Sequence, residues 1–94
     1  MIVRIMGEGQ YVVDGAHADV LNALDTGLEK AVETSDETAF RMALADLLAK
    51  VRAVGERLPD EVLSPSDAIL PSEDTPFDDV RAMLAESDEG LIPG

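Results

Sequence analysis

The 94-residue chain carries 20 acidic against 7 basic side chains, a formal net charge of -13, with 46 % hydrophobic residues and no cysteine. That balance suits a single folded domain with a modest core, and its field repels nucleic-acid phosphates and anionic lipid headgroups alike. Lack of cysteine excludes disulfides, thiolate metal sites and a cysteine nucleophile.

Ile2 to Met6 is apolar and β-prone apart from Arg4, and Gln10 to Val13 is similar, with Gly7-Glu8-Gly9 between them. Two such runs around a glycine-rich connection predict a β-hairpin, which is marginal alone and needs an apolar surface beneath it. Asp14-Gly15 ends it and offers an N-cap. From Ala16 to Glu33 the apolar period changes to 3.6: Val20, Leu21, Leu24, Leu28, Ala31 and Val32 share one arc, with Gly27 at its edge as a place for close backbone approach.

Thr34 and Glu37 have the spacing of a capping box and predict the start of a second helix running to Val54. Phe40, Leu44, Leu47, Val51 and Val54 form its apolar stripe, and Gly55 stands where a C′ glycine belongs. With so short a join the two helices should fold back as an antiparallel hairpin. The back of the second helix carries Met42, Ala45, Ala49 and Ala53 beside Asp46, which is either a solvated face or a second packing surface.

Beyond Leu58 the chain is rich in Pro, Ser and Asp. Glu61-Val62-Leu63 is expected to form at most one helical turn, and Ala68-Ile69-Leu70 either a strand or a core anchor. Thr75-Pro76 with Asp78 predicts a third helix to about Ala85, on which Phe77, Val80 and Leu84 share a face. The apolar segment Gly90-Leu91-Ile92-Pro93-Gly94 is expected to dock. The fold class that follows is α+β: an N-terminal β-hairpin (1–14) packed on an antiparallel two-helix hairpin (15–56), a Pro/Asp-rich connection (57–74), then a short third helix and docked C-terminal tail (75–94), all in one domain.

Chemistry is sparsely represented. His17 is the one histidine, and its place in the first turn of the first helix reads as a half-buried structural side chain. A small enzyme using His17 with a nearby carboxylate is a weak third reading, because no nucleophile accompanies it. Gly7-Glu8-Gly9 lacks the third glycine and the following helix of a dinucleotide fingerprint. The paired carboxylates Glu73-Asp74, Asp78-Asp79 and Asp88-Glu89 do not follow a calcium-loop spacing. Arg4, Arg41, Arg52, Arg57 and Arg81 are scattered without interleaved aromatics, so no nucleic-acid partner is expected. Elimination leaves a binding module, with no cofactor, no metal and no catalytic residue. Met1 to Gly7 is too short an apolar run for a signal peptide, so a cytoplasmic protein with no direct membrane insertion is expected. The abundance of aspartate over Lys30 and Lys50 fits a halophilic source as well as it fits a cationic partner.

The order of short segments along the chain carries a resemblance. Met1 to Tyr11, Leu21-Asn22-Ala23-Leu24-Asp25, Phe40-Arg41, Leu47-Leu48, Leu58-Pro59-Asp60, Pro65-Ser66-Asp67 and Gly90 to Gly94 together resemble the PspAA family. The resemblance implies an accessory protein, found beside PspA in actinobacteria and archaea, that partners or regulates PspA, a coiled-coil protein of the phage-shock, membrane-stress response. Partner-contact candidates are Tyr11, Val13, Met42, Ala45, Ala49, Leu91 and Ile92; homo-oligomerisation stays open. The alternative is an acidic regulator acting on transcription through a protein partner, or as a decoy mimicking nucleic acid.

Overall fold

The computed structural model describes residues 1–59, 61–62, 64–86 and 91. Strands β1 (Ile2–Ile5) and β2 (Gly9–Val12) form the expected hairpin, with Ile2 opposite Val12 and Ile5 opposite Gly9. Gly7 at φ 79° and Gly9 at φ 148° supply backbone conformations that side-chain-bearing residues rarely adopt. Asp14 caps a single 3-10 turn (Gly15–His17) by accepting the Ala16 N–H, and α1 (Ala18–Glu33) continues from it.

The join between α1 and α2 (Glu37–Val54) is not the expected capping box. Thr34 turns its hydroxyl back onto the Lys30 carbonyl and closes α1. Asp36 N–H donates to Ala31 O and Ser35 N–H to Val32 O, the paired bonds of a Schellman motif, with Ser35 at φ 56° in the left-handed position. The Asp36 carboxylate then accepts the Ala39 N–H and caps α2. One residue therefore closes one helix and opens the next.

Two strands complete the sheet. β3 (Glu56–Arg57) pairs antiparallel with β2, and β4 (Ala68–Leu70) pairs parallel with β1, in the order β3-β2-β1-β4. Ala68-Ile69-Leu70 is thus a strand, whereas β3 has no apolar signature in the sequence. Glu61 and Val62 are not helical; Leu63, the third residue of that stretch, lies outside the described residues, as does Asp60 before it. Helix α3 (Phe77–Ala85) is capped by the backbone of Pro76, not by Thr75, whose hydroxyl lies 3.1 Å from that of Ser72.

Val3, Ile5, Tyr11, Val13, Ala68 and Leu70 from the sheet meet Phe40, Leu44, Leu47, Leu48 and Val51 of α2 and Leu21, Leu28, Ala31 and Val32 of α1 in one core. Phe77 joins it through an edge-to-face contact with Phe40, centroids 5.1 Å apart, while Arg41 lies over the Phe40 ring and donates to the Glu73 and Thr75 carbonyls. Two positions assigned to the apolar arc of α1 are not used: Val20 is exposed, and no atom approaches the Cβ position of Gly27 within 4 Å.

Gly55 matters for a different reason than expected. Its φ of -88° is open to any residue, so it is not a left-handed C′ cap. A Cβ there would lie 2.6 Å from the Val51 carbonyl oxygen and 2.9 Å from Tyr11 Cβ. Glycine is required because the sheet and the end of α2 touch backbone to side chain at this point. Gly55→Ala is expected to destabilise by about 2 kcal/mol through forced displacement. Ser35→Gly is expected to stabilise by about 1 kcal/mol, because glycine adopts the left-handed cap without strain. Chemical denaturation of both variants against wild type checks the two opposite signs.

Candidate functional site

Two surfaces concentrate the unusual features. The first lies where the hairpin turn meets the end of α2. Glu8 in the turn is gripped by Arg52 of α2: Nε donates to both carboxylate oxygens, at 3.1 and 2.9 Å, and Nη2 to Oε1 at 2.7 Å. Arg52 Nη1 reaches Glu73 Oε1 at 2.8 Å, Tyr11 donates its hydroxyl to Glu8 Oε2 at 2.5 Å, and Arg57 Nη2 donates to the Glu8 carbonyl at 2.8 Å. Glu8, Arg52 and Glu73 border an open hollow of about 510 Å³ lined also by Ile5, Met6, Gly7, Ser72 and Asp74.

The hydrogen bonds from Arg52 and then Tyr11 hold the Glu8 carboxyl well below its ordinary value, at about 2. The same carboxylate raises the Tyr11 phenol, and burial adds to that rise. A carboxylate so saturated with donors is a weak proton acceptor at neutral pH. Its arrangement is that of a brace tying hairpin, helix and loop together.

The second surface is the outer face of the sheet. Strand alternation turns Ile2 and Arg4 of β1, Met6 just beyond it, Gln10 and Val12 of β2, Glu56 of β3 and Ile69 of β4 away from the helices. Gln10 is covered, its amide donating to the Ser64 carbonyl at 2.6 Å and the Ser66 hydroxyl at 2.8 Å. Ile2 is half-buried and the centre of the face is open: Met6 is 50 %, Val12 40 % and Ile69 48 % exposed, and Arg4 is exposed among them.

The contact candidates read from the sequence divide sharply. Tyr11, Val13 and Leu91 are buried in the core. Met42, at 64 % exposure, and Ala45 and Ala49 lie on the open back of α2. Ile92 lies outside the described residues, as do Ser87–Gly90, Pro93 and Gly94. Leu91 donates its N–H to both carboxylate oxygens of Asp25, at 3.2 and 3.0 Å. Asp25 itself is 3 % exposed, a buried acid on α1 that the amphipathic pattern did not single out. One turn further on, burial raises the Glu29 carboxyl, and the neighbouring charges of Asp25 and Glu33 add to the effect. Glu29 and Glu33 border a second hollow, of about 470 Å³, between α1 and α3, with Arg81 on its far side. His17 is half-buried at the entry to α1. Among the described residues, no group of three or more His, Cys, Asp or Glu side chains is placed to share a metal ion. Nor is any helix among them long and apolar enough to cross a membrane.

Comparison with known families matches residues 1–94 to the model of PspAA, described as PspA-associated protein. The chain belongs to the PspAA family. Comparisons with curated proteins and with solved structures return no significant match. Family membership implies association with PspA-type systems, and it gives the exposed surfaces of this PspAA protein their interest.

The brace has a measurable signature. Because Glu8 is depressed on folding, its stabilisation is complete above the ordinary carboxyl value of 4.5 and is lost as pH falls towards about 2. Glu8→Gln is expected to cost about 1 kcal/mol at pH 7, a modest figure because the pair is partly solvated. The gap in melting temperature between wild type and variant should shrink steadily between pH 5 and pH 2.

Proposed function

We propose that this protein is a non-enzymatic partner of a PspA-type coiled-coil protein, acting by binding alone. The observation that carries the proposal is the match of the entire chain to a family of PspA-associated proteins. Two features support it. Apolar side chains stand exposed on regular elements, which is how helices and sheets recognise other helices. The formal net charge of -13 opposes direct adsorption to anionic lipid, so any presence at a stressed membrane comes through the partner. In this reading the protein is cytoplasmic and regulates or accompanies PspA assembly, with no metal, cofactor or nucleic acid involved.

Co-purification tests it. The full chain, immobilised, is expected to retain a purified PspA-type protein at both low and high salt. Absence of retention under both conditions would sink the proposal.

A further inference from the structure

The geometry points to the outer face of the sheet as the docking surface for the partner: Arg4, framed by Met6, Val12 and Ile69, receives a carboxylate from an amphipathic partner helix whose apolar side chains cover the frame. This rests on the reading of the protein as a binder of a coiled-coil partner, and it names the surface and the chemistry of the contact.

The charges carry the first part of the argument. In a chain with 20 carboxylates, arginines find acceptors readily. Arg52 pairs with Glu8 and Glu73, Arg81 with Asp78, Arg41 holds two carbonyls and Arg57 a third. Arg4 differs: its guanidinium holds no hydrogen bond or ion pair among the described residues. Its position explains why. On the central strand β1, its neighbours along the strand on the same face are Ile2 and Met6, and its partners across are Gln10 and Ile69. Gln10 spends its amide N–H groups on Ser64 and Ser66. None of these immediate neighbours offers the guanidinium a charge; of the carboxylates on the same face, Asp67 accepts the Ile2 N–H at 2.7 Å and Glu56 lies beside Val12 on the edge strand, and neither pairs with Arg4.

Apolar exposure supplies the second part. Met6, Val12 and Ile69 each leave two fifths or more of their surface open on that same face. An exposed arginine ringed by aliphatic and methionine side chains matches the composition of protein-interface cores, where Arg and Met are enriched. The back of α2 has no such centre: Met42 stands there among alanines and Asp46.

Charge complementarity also selects the occupant. A two-fold pairing of this face with itself would bring Arg4 onto Arg4 and join two chains that each carry -13. A helix with an apolar stripe and a carboxylate within it meets both requirements, and heptad-patterned helices present that combination.

The test measures binding of a purified PspA-type coiled-coil protein to the full chain and to Arg4→Glu, Arg4→Lys, Ile69→Gln and Ala49→Glu, each checked for an unchanged circular-dichroism spectrum and melting temperature. Arg4→Glu is expected to weaken binding at least tenfold and Ile69→Gln several-fold, while Arg4→Lys keeps most of the affinity and Ala49→Glu stays at wild type. In addition, reversing one carboxylate on the partner helix to lysine should restore binding to Arg4→Glu. Wild-type binding that Arg4→Glu and Ile69→Gln leave intact overturns the assignment of this face, yet leaves the proposed function standing. Loss through Ala49→Glu alone moves the contact to α2 and overturns it likewise. A dimer of the free chain that Arg4→Glu dissolves, seen by light scattering, makes the face a self-contact and also overturns it. Failure of the wild type to bind removes the functional reading itself.

Discussion

Helix α2 is buried along a stripe broad enough to serve two neighbours at once, and the rest of the molecule is arranged around that fact. Phe40, Leu44, Leu47, Leu48 and Val51 are all withdrawn from water. A helix with such a stripe needs apolar surface on more than one side, and a lone second helix covers only part of it. α1 supplies one wall, and the inner face of the sheet, with Val3, Ile5 and Leu70, supplies the other. The hairpin could not persist without this backing, nor could α2 stay wet on that side. Each is the condition for the other.

The polar contacts then fix how these layers meet. Arg52, on the last turn of α2, reaches Glu8 in the hairpin turn and Glu73 in the loop before α3. Arg41, three turns earlier, holds the Glu73 and Thr75 carbonyls of that loop. Both arginines lie on exposed positions of the same helix, so their contribution is one of register more than of bulk stability. Gly55 permits the close seating of Tyr11 that this register demands.

The strongly periodic parts of this architecture were legible in the sequence. The hairpin, the extent of α2 and the end of α3 at Ala85 follow from alternation, a sustained 3.6 period and turn chemistry. The misses have physical causes. β3 consists of Glu56 and Arg57, which join the sheet through backbone bonds that leave no apolar trace. Thr34 and Asp36 both have capping side chains, and the choice between them was made by the Schellman bonds of the preceding helix. Val20 belongs to the apolar arc by angle but lies in the first turn of α1, where it remains exposed. The brace joins positions 8, 52 and 73, and no local pattern links residues so far apart. The outer face was hidden for another reason: Ile2 and Met6, on the same side as Arg4, are as apolar as the inward Val3 and Ile5, so the run shows no alternation until pairing assigns each residue a side.

The parallel partnership of β1 with β4 has a temporal meaning. Val3 and Ala68 sit side by side, although the whole helical hairpin intervenes along the chain. During synthesis from the N-terminus, β1 and β2 can zip together early, yet the outer edge of β1 keeps its amide and carbonyl groups unclaimed until Leu70 has emerged. A nascent molecule therefore passes through a stage in which a bare ribbon edge is available to any extended segment nearby. Arrival of a three-residue strand ends that exposure, which gives β4 an importance out of proportion to its length.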